Sequence, residues 1–232
     1  MNKLISLIIF LQLLNLNSQE VYIQGGGTLD DWANLKKYKN ENEELIKNNQ
    51  RDVVVFMGNS ITEGWSYFSP DFFIENQFIN RGIGGQTTPQ MLIRFKPDVV
   101  SLKPKSVVIL AGINDIAGNT GPMKIKNIAD NIFSMAEIAK ANKIKVYRCS
   151  VLPAKDFPWS PGLNPSKKVI KLNKMLIDYC YKNNIKYVDY YSKMNDGKGG
   201  LKVPEYTSKD DLVHPNKRGY SVMESVILDA LN

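Results

Sequence analysis

The chain has 232 residues, 43% of them hydrophobic and 10% aromatic, which supplies one sizeable core and excludes a disordered chain or mini-protein. Lys and Arg exceed Asp and Glu by 30 − 23 = +7, but the basic residues stand singly or in pairs, so nucleic acid is not an expected partner. Two cysteines, Cys149 and Cys180, and one histidine exclude a disulfide framework and a thiolate or histidine-cluster metal site; no metal or cofactor is expected.

Met1-Asn2-Lys3 is a short positive start, Leu4 to Leu14 is apolar except for Ser6 and Gln12, and residues 15–19 turn polar. That is the shape of a secretory signal peptide over residues 1–19. The run is about half the roughly 20 residues a membrane span requires, so no integral membrane segment is expected in the mature chain. Export would place the protein in the periplasm or outside the cell. Residues 20–51 then read as a lead-in. Thr28 with Asp31 resembles a helix cap, and residues 29–49 are helical in composition and polar enough to lie on the surface.

Five apolar, β-branched runs follow at 52–57, 77–80, 106–111, 145–150 and 186–189. Helical apolar spacing separates the later ones: Ile125, Ile128, Ile132, Met135 and Ala139; then Val169, Leu172, Leu176 and Cys180; finally Tyr220, Met223, Ile227 and Leu231. Alternating strands and helices predict one domain over residues 52–232, a flavodoxin-like three-layer α/β/α sandwich on a five-stranded parallel sheet. Its functional loops should follow the carboxyl ends of the strands.

Ser60 stands at the end of the first run, where a nucleophile would enter the crevice. With Glu63 it also has capping-box spacing, so Ser60 reads equally as a helix cap. Gly64 comes too late for a G-x-S-x-G elbow. The lone histidine lies in Asp211-Leu212-Val213-His214, where the carboxylate can reach the ring Nδ1–H and leave Nε2 to accept a serine proton. Gly82-Ile83-Gly84-Gly85 and Gly112-Ile113-Asn114-Asp115 follow the second and third strands. They offer backbone and side-chain amides to a developing oxyanion. Asp115 reads as a structural residue of its loop.

These blocks, in this order, resemble those of the SGNH, or GDSL, hydrolases, from about residue 52 to 232. The resemblance implies Ser60 as nucleophile, His214 as base and Asp211 as its orienter. It further implies an oxyanion hole from the amides of Ser60 and Gly85 and the side chain of Asn114. One position departs from the family: Asn59 stands where Asp commonly precedes the serine.

Similar enzymes deacetylate sugars, hydrolyse lysophospholipids or cleave thioesters. Trp65, Phe157 and Trp159 are candidates to stack on a sugar ring, or simply to pack in the core. With a leader and a lysine-rich surface, they favour a secreted serine esterase that removes O-acetyl groups from carbohydrate, its substrate a small ester or acetylated carbohydrate. The alternatives are a lysophospholipase or short-chain acyl (thio)esterase, and an inactive glycan-binding domain.

Overall fold

Consecutive apolar residues bury the whole of β1 (Val54–Gly58) and β3 (Ser106–Leu110), as in the central strands of a parallel sheet covered on two faces. With β2 (Phe78–Gly82), β4 (Lys145–Cys149) and β5 (Lys186–Val188) they make a five-stranded parallel sheet of order β2-β1-β3-β4-β5. The structure is a computed structural model that describes residues 25–232; the leader assigned to residues 1–19 lies outside the described residues.

In chain order the helices are α1 (Lys39–Lys47), α2 (Ser60–Phe68), α3 (Pro70–Glu75), α4 (Thr88–Asp98), α5 (Ile113–Ala117), α6 (Ile125–Ala141), α7 (Ser166–Asn183), α8 (Tyr190–Met194) and α9 (Lys217–Leu231). Helices α4, α6 and α7 pack in a row on one face of the sheet, and α2 and α9 meet on the other. Their inward stripes are those of the sequence, with Ile128, Ile132, Met135, Val169, Leu172, Met223 and Ile227 all buried. The result is the three-layer α/β sandwich. Among the described residues no helix is long and apolar enough to cross a membrane.

Register positions the site. Gly58 of β1 pairs with Gly82 of β2 and with Leu110 of β3. Three loops therefore leave the sheet side by side: one to Ser60, one through the glycines, one to Asn114. They open at the crevice where the strand order reverses.

The helix expected over residues 29–49 is a correction. Only Lys39–Lys47 is helical, and residues 25–38 form turns. Asn34 adopts a left-handed φ of 54°, and Asp31 accepts the amides of Leu35 and Lys36 at 2.7 and 3.1 Å. Side-chain bonds to the backbone compete with the helix there. Nor is α1 wholly a surface element, because Asn42 is buried and joins Arg81 to Asp98.

Candidate active site

Ser60 is the first residue of α2, and the cap of that helix is Asn59, whose Oδ1 accepts from Ile61 N at 3.2 Å. The capping alternative for Ser60 therefore falls away. Its hydroxyl is free to turn elsewhere, and Ser60 Oγ lies 2.8 Å from His214 Nε2.

His214 is set by a tight loop before α9. Asp211 Oδ1 accepts the amides of Val213 and His214 at 3.1 and 2.8 Å, and Thr207 Oγ1 donates to the His214 carbonyl at 2.8 Å. The same carboxylate lies 2.8 and 3.0 Å from His214 Nδ1. A carboxylate only accepts, so Nδ1 carries the proton and Nε2 is left to accept from Ser60. Partial burial would raise the pKa of Asp211. The bonds from His214 outweigh it and hold the carboxyl below the usual carboxylate range. Ser60, His214 and Asp211 thus form one hydrogen-bonded chain.

The glycine loop is pinned against this chain. A Cβ on Gly82 would lie 2.1 Å from the Glu63 amide nitrogen, so α2 reaches the loop only because residue 82 is glycine. Glu63 Oε2 accepts the Gly84 amide at 2.6 Å, and its other oxygen forms an ion pair with Lys37. Gly85 takes a left-handed φ of 76°, and its carbonyl accepts from Asn119 Nδ2 at 3.0 Å. Asn114 is buried in the next turn, where Nδ2 donates one hydrogen to the Gln86 carbonyl at 2.9 Å. The second Nδ2 hydrogen remains for another acceptor. Asp115 is structural, accepting Thr88 N at 2.9 Å and Thr88 Oγ1 at 2.6 Å. Burial outweighs these bonds and lifts its pKa to about 6.

The aromatic candidates divide. Trp65 is a correction: it is 1% exposed, stacks on Phe72 at 5.2 Å and on Tyr220 at 5.7 Å, and donates Nε1 to Glu224 at 3.0 Å. Phe157 is also buried, so neither ring offers a face to a sugar. Trp159 is 47% exposed, with its ring centroid 6.1 Å from that of His214.

Two supports have no sequence signature. Arg94, fully buried, donates Nη2 to the Gly58 carbonyl at 2.8 Å and Nη1 to Asp98 at 2.9 Å, bracing the end of β1. Tyr220 donates its hydroxyl to the Ile61 carbonyl at 2.9 Å. Cys149 and Cys180 are buried and free. Among the described residues, His, Cys, Asp and Glu side chains form no cluster of three or more that could hold a metal ion.

Over residues 56–222 the sequence matches the family described as GDSL-like Lipase/Acylhydrolase. A Bacteroides fragilis protein designated an acylhydrolase is 50% identical, superimposes with a TM-score of 0.81, and is matched over 87% of this chain and 97% of its own. A GDSL-like lipase of Bacteroides thetaiotaomicron is 48% identical with a TM-score of 0.80, over 86% of this chain and 97% of its own. The uncharacterized lipoprotein YqeF of Bacillus subtilis is 31% identical over 119 residues, 44% of this chain and 49% of its own length. The chain thus spans about half the length of that curated relative.

Proposed function

The chain belongs to the GDSL-like lipase/acylhydrolase family and is an ester-bond hydrolase, and from that premise we propose an exported serine esterase that removes O-acetyl groups from carbohydrate. The observation that carries the reading is the continuous bonding from Ser60 Oγ to His214 Nε2 at 2.8 Å and from His214 Nδ1 to Asp211 at 2.8 Å.

In this mechanism His214 Nε2 takes the Ser60 proton as Oγ attacks the ester carbonyl. Asp211 steadies the imidazolium that forms. Negative charge on the former carbonyl oxygen meets the Ser60 amide at the start of α2, the Gly85 amide and the second Nδ2 hydrogen of Asn114. First-turn amides of a helix lack intrahelical partners, and the helix N-terminus favours an anion. His214 then protonates the leaving alkoxide, and the sugar hydroxyl departs. Water, deprotonated by the same imidazole, cleaves the acyl–Ser60 ester and releases acetate.

The half-exposed Trp159 beside His214 supports a sugar substrate. Export is supported by the leader-like residues 1–19 and by the likeness to a protein named a lipoprotein. Hydrolysis rates on aryl esters of graded chain length test the substrate. Each methylene left unburied forfeits about 0.8 kcal/mol, so activity should fall from acetyl to butyryl and be negligible at octanoyl. A preference for octanoyl would reject deacetylation and favour the lysophospholipase reading.

A further inference from the structure

A groove of about 910 Å³ is lined by Asp115 to Gly118, the turn that follows Asn114, and by Ser160, the residue after Trp159. An acetyl group needs a small part of that space; pockets of about 300–1,000 Å³ hold drug-sized ligands. The lining is mostly apolar, with Met123 and Met175 contributing to it. Four lysines line the same groove: Lys124 and Lys126 at the start of α6, Lys168 and Lys171 on α7.

We propose that this groove is a subsite for the alcohol portion of the ester and that its lysines select acetylated glycans bearing carboxylates. The inference rests on the esterase reading and names its substrate class.

The charge balance carries it. Lys126 pairs with Asp130 at 2.7 Å, while Lys124, Lys168 and Lys171 make no ion pair among the described residues. Asp115 is the acid that lines the groove, and its carboxylate is turned into the protein onto Thr88. Three exposed ammonium groups around an apolar floor repel one another until an anion enters. A uronate chain supplies carboxylates at the edge of each ring and C–H faces for the floor. Trp159, one residue before Ser160 of the lining, has its ring centroid 6.1 Å from that of His214.

The test is titration calorimetry of the Ser60→Ala protein with unacetylated oligogalacturonate and with a neutral xylo-oligosaccharide of equal length. At about 50 mM salt, within the range of weak screening, the acidic oligomer should bind about 10-fold more tightly, and about 500 mM salt should erase the difference. A Lys168→Gln/Lys171→Gln double substitution should remove the preference, and Lys174→Gln on the same helix should keep it. With the wild-type protein, KM for acetylated oligogalacturonate should lie below that for acetylated xylo-oligosaccharide. Equal binding of the two oligomers, or a preference that survives the double substitution, would overturn the inference. So would binding of an octanoyl lysophospholipid in place of either sugar. A protein that binds the acidic oligomer but hydrolyses no ester would leave the groove standing and reject the esterase reading.

Discussion

Glu63 stands one helical turn after Ser60 and accepts the amide of Gly84 at 2.6 Å, joining the helix of the proposed nucleophile to the loop of the proposed oxyanion hole. Its ion pair with Lys37 adds the chain that precedes α1 to the same brace. The carboxylate acts on position, since it touches the loop and not the reacting atoms. Glu63→Ala should lower kcat on an aryl acetate by about 10- to 100-fold with little change in KM, the scale of a small misplacement of donors. Glu63→Gln keeps an acceptor for Gly84 and should recover most of the loss. If both variants lose activity equally, the brace is not what matters.

Ser60→Ala should reduce turnover by at least about 10³-fold while stability moves by less than about 0.5 kcal/mol, because Asn59 and not Ser60 caps α2. Asn59→Ala should do the reverse in stability, costing about 1 kcal/mol through the lost cap. Urea unfolding and initial rates on one set of proteins separate the two. A Ser60→Ala protein that still turns over would reject the serine mechanism.

Asn114→Ala should lower kcat by about 10²–10³-fold with a modest change in KM, since the free Nδ2 hydrogen acts on charge that develops in the transition state. A rise in KM at constant kcat would instead make Asn114 a ground-state substrate contact.

Asp115 links stability to pH. Its folded pKa is raised to about 6 by burial, so the folded state holds the proton more tightly than the unfolded chain. That contribution is fully present below about 3.8, the ordinary value of an exposed aspartate, and is lost as pH rises through about 6. A shift of this size corresponds to about 3 kcal/mol. Relative to Asp115→Asn, the wild-type protein should therefore lose stability between about pH 4 and pH 6, and the difference should be flat above. Urea midpoints of the two proteins that run parallel across that window would contradict a raised pKa.

The two tryptophans should respond oppositely. Trp65→Ala empties a buried aromatic site and should cost about 3–5 kcal/mol in unfolding free energy. Trp159→Ala should change stability little and raise KM for an acetylated oligosaccharide by about 2- to 10-fold, the worth of one aromatic contact. An unchanged KM would remove Trp159 from the substrate reading.

Five consecutive apolar residues at 53–57 and again at 107–111 read as buried strands, and the stripes of α6, α7 and α9 have one face to bury. Such patterns are local, so the sandwich, its strand count and the loops bearing Ser60, Asn114 and His214 are legible in the chain itself. What a side chain meets across the fold is not local. Ser60 and His214 are 154 residues apart, and only the register of the sheet and the docking of α9 on α2 bring them within 2.8 Å. Trp65 follows the nucleophile by five positions, yet Phe72, Tyr220 and Glu224 draw it into the core. Residues 29–38 have helical composition, yet the side chain of Asp31 takes the backbone amides and leaves turns. Apolar periodicity is thus written in the sequence because burial acts on whole faces of an element. The partner of a single polar or aromatic group depends on close packing between distant segments, and that only the tertiary structure decides.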